Sequence, residues 1–370
     1  MHTHRFALAS MLLALVAGCS DSTSPGPGIA DEATINASKE GEVGAARLVL
    51  MTQNLFVGAD VDAVLLALSS SDPSDDFPAL IGAIQTLQRT SFPTRAAALA
   101  DRIARERPHA IGLQEVSRIE IVLPPFGLDF QIEFLPILLD ALADRGLDYE
   151  VAAQVLNIDA NPTPGIRLVD YDVLLVDADR VTVNSASGQN FTLNVGPFAP
   201  GVSLIRGWVQ ANVTIGGSAY TIVSTHPEPD LGGFSLEQLR AAQIGEIVAT
   251  LGSAAPAVIM GDLNDQPGTL MYQVLTGAGF TDVWAELRPG VVGLTCCHET
   301  DLSDKLPAFD EQVDYVFARG FAHANRDVLG RITRFGMLPS DRFAGPLGTI
   351  WVSDHAGLLA TLLLPAGPQH

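Results

Sequence analysis

Cysteine is scarce, with three residues in 370: Cys19 and the adjacent pair Cys296-Cys297. That count excludes a disulfide-stapled scaffold. A structural zinc site is disfavoured, because no second cysteine pair stands at ligand spacing. Neighbouring Cα atoms lie about 3.8 Å apart, less than a normal disulfide prefers, so a buried reduced pair is the plainer expectation for 296–297. Basic charge is also short: 21 Lys and Arg face 42 Asp and Glu, for a net charge of −21. Such a surface repels polyanions at long range, and tight nucleic-acid binding rests on Lys and Arg contacts. A stable nucleic-acid complex is therefore not expected, although transient handling by an enzyme is not excluded. One local exception is the run Arg319, Arg326, Arg331, Arg334 and Arg342, set against Asp327 and Asp341. It reads either as a phosphate-facing patch or as a solvated loop surface. The sequence has no Gly-x-Ser-x-Gly, which disfavours a serine hydrolase. It has no His-Glu-x-x-His, which disfavours a zinc peptidase.

Hydrophobic residues make up 47% of the chain, ample for a core. The first apolar run, Phe6 to Val16, is too short to span a bilayer and follows the weakly basic His2, His4 and Arg5. It ends in "LVAGC", which resembles a bacterial lipobox. The small pair Ala17-Gly18 directly before Cys19 favours lipidation of that cysteine over an ordinary secretory signal. Removing residues 1–18 takes away Arg5 and no acid, so −21 becomes −22. Residues 19–45 are polar and rich in Pro, Gly and Ser, and read as a flexible tether. No later run reaches spanning length, so the expected body is exported, beside a membrane, held by lipid alone and monomeric. With no tandem repeat and no internal linker, residues 46–365 read as one domain.

The first half of that body reads strand, helix, strand, helix. "ARLVLMTQN" is a strand ending on Asn54. "PTRAAALADRIARERP" is a helix bounded by prolines, with Ala96, Leu99 and Ile103 on one face. "HAIGLQEV" is a buried strand ending near Glu115, a helical stretch falls near 130–146, and "YEVAAQVL" and "YDVLLVD" follow. In the second half, "RGWVQANVTI" and "AYTIVSTH" look like paired strands joined by Gly-Gly. Ser235 to Gln238 has capping-box spacing and opens a helix to about Leu251. "APAVIMGDLND", a short helix near 269–277, "EQVDYVFAR" and "SDHAGLLATLLLP" complete the chain.

The strand ends form a set. They carry Asn54, Glu115, His226, Asp262 with Asn264, Asp314, and Asp354 with His355. Singly, each has a bland explanation: Asp-x-Asn after Gly is ordinary turn chemistry, and a lone His or Glu packs or caps. Two histidines, four carboxylates and two asparagines at six strand ends are harder to dismiss. Hydrolysis of a phosphodiester needs a hard cation, a base for water, donors for developing charge and help for the leaving oxygen. Glu115 and a second carboxylate suit Mg²⁺, with Mn²⁺ or Ca²⁺ as alternatives. Asp262 suits the base. Asn54 and Asn264 can donate to an anion, and His355 can do so if Asp314 fixes its tautomer.

In chain order, "TQN", "GLQEV", "STH", "GDLND", "VDYVFAR" and "SDH" resemble the motifs of the endonuclease/exonuclease/phosphatase family. The resemblance implies an α/β fold: a four-layer α/β/β/α sandwich with the site at one end of two packed sheets. It implies Glu115 as principal metal ligand, with Asn54 and Asp354 at or beside the metal. Asp262 activates water, Asn54, Asn264 and His226 hold the phosphate, and Asp314 pairs with His355. It further implies a metal-dependent hydrolase of phosphate esters; an inactive, surface-anchored binding module is the alternative. Departures lie in "PEPD" after His226, where Pro227 restricts the histidine to an extended backbone. Another is Asp177 at the end of "YDVLLVD", where many relatives are basic; Tyr171 or Asp172 of that strand could still face the site.

Overall fold

The computed structural model describes residues 47–364, apart from several positions between 62 and 73 and positions 200, 232, 233 and 324. The expected export signal, Cys19 and the expected tether lie outside the described residues. In chain order the described strands are β1 (Arg47–Asn54), β2 (Ala110–Leu123), β3 (Leu128–Glu133), β4 (Tyr149–Thr163), β5 (Ile166–Asp177) and β6 (Val181–Asn190). Then come β7 (Gly196–Ala199), β8 (Val202–Leu204), β9 (Gly207–Ile215), β10 (Ser218–Thr225), β11 (Ala257–Asp262) and β12 (Thr281–Asp282). The last are β13 (Asp314–Arg319), β14 (Gly330–Phe335), β15 (Phe343–Gly345), β16 (Gly348–Ile350) and β17 (Gly357–Leu363). One large sheet runs β14-β17-β1-β2-β5-β4-β8-β7, with β3 on β2; a second runs β12-β13-β11-β10-β9-β6; β15 and β16 form a separate two-stranded ribbon.

Strands buried on both faces read as continuous apolar runs. β11 is such a strand: Val258 and Met260 face the core between the sheets, with Leu48 and Leu50 of β1, Ile222 of β10 and Leu358 of β17. Ala257 and Ile259 face outward onto Ile244, Ile247, Met271 and Leu275, on helices Glu237–Leu251 and Leu270–Gly277. On the other outer face, helices Phe92–Glu106 and Phe134–Ala143 bring Leu99, Ile103 and Leu138 onto Met51, Ile111 and Val173. Ala96, Leu99 and Ile103 are buried together, as their spacing predicts. The result is the α/β/β/α sandwich.

Two sequence expectations change, and one open question is answered in part. Residues 130–133 are strand, not helix: β3 alternates half-buried and exposed residues and pairs with the far half of β2. The helix expected from Ser235 starts at Glu237 without a capping box; Asp230 Oδ1, from outside the tetrad, takes the Leu236 N–H at 2.8 Å. The arginine run, open between a phosphate-facing patch and a solvated loop surface, splits: Arg326 and Arg331 are exposed, and the other three are engaged by backbone carbonyls. Arg319 donates to the carbonyls of Gly252, Ala254 and Ala278 and stacks on Phe280. Arg334 donates to the Leu294 carbonyl and Arg342 to those of Ser303 and Thr349. These guanidinium groups tie loops to the body.

The close approach of β10 and β11 requires Gly261. Its φ is +145°, and a Cβ there would lie 2.0 Å from the Thr225 carbonyl oxygen. We expect Gly261→Ala to lower unfolding free energy by about 2–4 kcal/mol, since the neighbour is backbone and cannot swing away. Denaturant melts check this; a loss under about 0.5 kcal/mol would contradict the packing described.

Candidate active site

Strand direction gathers the polar ends. β1 and β2 are parallel, so Asn54 and the turn of chain at Glu115 lie at one end; β17 is antiparallel to β1, so Asp354 and His355 enter there. In the second sheet β10 and β11 are parallel and deliver His226 and Asp262 together. β13 is antiparallel to β11, with Asp314 opposite Asp262. All eight residues expected from the sequence come to the same end of the two sheets.

Glu115 is not at a strand terminus, as expected, but inside β2, which continues to Leu123. The reason is a bulge: pairing with β5 shifts register between Leu113 and Val116, and Glu115 has φ +55°. The left-handed residue turns its carboxylate toward β1. Oε1 accepts from Asn54 Nδ2 at 2.9 Å and Oε2 from the Val57 N–H at 2.8 Å. Burial, together with the charge of Asp354, pushes the Glu115 carboxyl up. Burial also raises Asp354, against the pull of His355 and Arg95. Two carboxylates that raise or crowd one another, each with lone pairs to spare, form an all-oxygen donor set that fits a hard divalent cation.

Asp262 is the hub. Its Oδ2 accepts from Asn54 Nδ2 at 3.1 Å and lies 3.5 Å from His226 Nε2 and 3.8 Å from His355 Nε2; Oδ1 accepts from the Asn264 N–H at 2.9 Å. Burial raises its pKa to about 6, with Asp314 adding to the shift and His355 opposing it. Asn264 has φ +51°, and its Nδ2 donates to the Pro227 carbonyl at 3.0 Å, so one amide hydrogen ties this turn to the His226 strand end.

The two histidines are held differently. His355 Nδ1 donates to Asp314 Oδ2 at 2.8 Å. Burial works against its charged form, but Asp314 and Asp262 outweigh it and hold the imidazole well above its usual range. His226 Nδ1 faces Arg206 Nη1 at 3.2 Å. An arginine only donates, so Nδ1 is the acceptor and the single proton sits on Nε2, toward Asp262. Burial, then Arg206 and His355, keep His226 well below its usual range. One ring is therefore a neutral donor and the other a cation.

Residues not foreseen from the sequence position this set. Buried Arg206 also reaches Glu228 at 3.4 Å. Buried Arg95 donates to the carbonyls of Leu55, Phe56 and Val352, pinning the exit of β1 to the approach of β17. Ser353 Oγ donates to the Asn54 carbonyl at 2.6 Å. An arginine within an apolar stretch was the available signal for Arg206 beside "GWVQANV"; Arg95 looks like a solvated helix residue. Asp172, which the sequence offered as a residue facing the site, has its carboxylate 3.9 Å from His226 Nδ1. Burial, with Asp170 beside it, raises its carboxyl well above the usual range. Asp177, by contrast, pairs with Arg107 at 2.9 Å and serves the fold. Hollows of about 180 Å³ beside Arg102 and Asp341, and about 540 Å³ beside Tyr272 and Asp327, contain none of the site residues.

Comparison with known proteins bears on the family and the fold. The sequence profile of the Endonuclease/Exonuclease/phosphatase family matches residues 84–355, which include Glu115, His226, Asp262, Asp314 and His355. No curated protein sequence matches the chain. Similar solved structures include an endonuclease/exonuclease/phosphatase family protein from Bacteroides thetaiotaomicron, at 15% identity and TM-score 0.55, covering 88% of this chain and 97% of that one. Another is the endonuclease/exonuclease/phosphatase from Beutenbergia cavernae, at 17% identity and TM-score 0.53, covering 88% of this chain and 73% of that one. A third is D. rerio TDP2 complexed with single strand DNA product, at 16% identity and TM-score 0.50, covering 85% and 98%. At these identities the structural likeness carries the fold alone. The profile match spans most of the chain, and the chain belongs to the endonuclease/exonuclease/phosphatase family.

Proposed function

We propose that this protein is an exported, lipid-anchored, metal-dependent phosphoesterase that hydrolyses phosphodiesters by direct attack of water. The observation that carries the reading is the Asp262 carboxylate, buried and faced by Asn54 Nδ2 and by the Nε2 atoms of both histidines. A base among donors is the arrangement that water attack on a phosphoryl group needs.

Glu115 and Asp354, with Asn54 beside them, are the residues that would hold the cation, Mg²⁺ by preference and Mn²⁺ or Ca²⁺ as alternatives. When bound, it supplies charge neutralisation at a phosphoryl oxygen. Asp262 orients water and takes its proton. His226, neutral with its proton on Nε2, donates to the phosphate or to the leaving oxygen. His355, held cationic by Asp314, sets positive charge against the phosphoryl group. Asn264 holds the turn and offers its second amide hydrogen to the phosphate. D. rerio TDP2, similar in fold, is complexed with single strand DNA product, which supports a diester substrate. The net charge of −22 after signal removal weighs against tight retention of long polyanions. The anchor is the lipid on Cys19, with the body beside a bacterial membrane.

Turnover of DNA, RNA, sphingomyelin, inositol phosphates and an aryl phosphodiester with each cation tests the reading. Asp262→Ala and His355→Ala are each expected to lose about 10²–10⁴-fold in kcat. Turnover that survives both means the site is wrong; none on any substrate favours an inactive binding module.

For Arg206, the double variant R206M/E228Q removes the charge of the contacting Glu228 together with the guanidinium. It is expected to lower kcat about 10-fold and to shift the ¹⁵N signals of His226 from the pure Nε2–H tautomer toward a mixture. Unchanged ¹⁵N shifts would remove Arg206 from the account.

Cys19→Ser is expected to abolish incorporation of labelled lipid; unchanged labelling would refute the anchor.

A further inference from the structure

The phosphoesterase reading leaves Cys296 and Cys297 unused, yet both sulfurs lie against a residue central to it. Cys296 Sγ is 3.6 Å and Cys297 Sγ 4.0 Å from His355 Nε2. The two sulfurs are bonded to each other. Cys296 is buried and Cys297 exposed, so the pair is not the fully buried one expected from the sequence. The exposed sulfur gives solvent thiols and ions a way in.

The two sulfurs and Nε2 lie within 4.8 Å of one another. In a tetrahedral zinc site, with Zn–S about 2.3 Å and Zn–N about 2.0–2.1 Å, sulfur and nitrogen stand about 3.5–3.6 Å apart. The shorter contact to Nε2 already has that span. The other ring nitrogen is held as metal-binding histidines usually are, with Nδ1–H donating to the Asp314 carboxylate. Thiolate and imidazole select a soft or borderline cation, whereas the carboxylates at Glu115 and Asp354 select a hard one. The third ligand was invisible to cysteine spacing because it comes from a histidine 58 residues further on.

We propose that Cys296, Cys297 and His355, once the sulfur–sulfur bond is reduced, bind one thiophilic divalent cation, zinc or cadmium in class, and that its binding silences His355. The reduction balances with two small thiols: their two hydrogens pass to Cys296 and Cys297, and the thiols leave as their own disulfide. Metal binding then releases the two cysteine protons and the proton on Nε2. With that lone pair taken, the ring no longer presents a cationic N–H to the phosphoryl group. The silencing rests on the proposed function; the binding does not.

The test uses the full-length protein reduced with a phosphine, freed of reductant and kept anaerobic, with Cd²⁺ and Zn²⁺ as probes. The ultraviolet thiolate-to-cadmium band should saturate at one Cd²⁺ per chain, and should be missing from oxidised protein and from C296S/C297S, both of which retain Cys19. The single variant C297S, altered at an exposed position, should lose the band as well. H355A should weaken Cd²⁺ binding about 10-fold or more, which a bare dithiol site would not show. No band in reduced wild type, or unchanged affinity in H355A, overturns the site. For silencing, stoichiometric Zn²⁺ should lower Mg²⁺-supported turnover of reduced wild type about 10-fold or more relative to the same sample without zinc. The corresponding ratio in C296S/C297S should stay within about twofold of unity. Equal ratios overturn the silencing. A saturating band with no turnover in any sample supports the site and counts against the phosphoesterase reading instead.

Discussion

One amide group holds the two sheets' ends to each other. Asn54 Nδ2 spends one hydrogen on Glu115 of its own sheet and the other on Asp262 of the facing sheet, at 2.9 and 3.1 Å. Hydrogen bonds to charged acceptors contribute about 1.5–3 kcal/mol each. Their larger effect is to set a metal-competent carboxylate and a base at a fixed separation. Much of the surrounding structure serves that amide. Ser353 holds its carbonyl, Arg95 pins the chain just after it, and the bulge in β2 brings Glu115 within reach.

Around that link the charges are arranged so that buried acids need not all ionise alone. Asp314 and Asp262 share the cationic His355, while Arg206 answers Glu228 and keeps His226 neutral. Burying so many ionisable groups is costly without partners. The apolar layers on both faces of each sheet supply the offsetting stability. This is why strands such as β11 are apolar along their length and polar only at the end.

The layers were legible because burial on two faces leaves long apolar runs, and because Ala96, Leu99 and Ile103 repeat at helical spacing. The site was legible at His226 and Asp262, where apolar runs stop on ionisable groups, and at Asp314 and His355, from which such runs start. Glu115 was placed at a strand end because a bulge with positive φ leaves no mark in residue type. β3 was missed because its short alternation sits directly before a true helix at Phe134. The capping at Asp230 and the pinning by Arg95 depend on contacts between distant segments, which local pattern does not carry. The arginine run stayed open between two readings for the opposite reason: clustering in sequence did not become a shared surface, since Arg319, Arg334 and Arg342 each clamp different loops.

The central claim is that the carboxylates at one end of the two sheets converge on a hard cation beside Asp262. Anomalous diffraction from crystals grown with Mn²⁺ tests it most directly. The account predicts a peak within coordination distance, about 2.0–2.4 Å, of Glu115, with Asp354 or Asn54 adjoining. A site occupied only elsewhere, or no peak at saturating Mn²⁺, would contradict it.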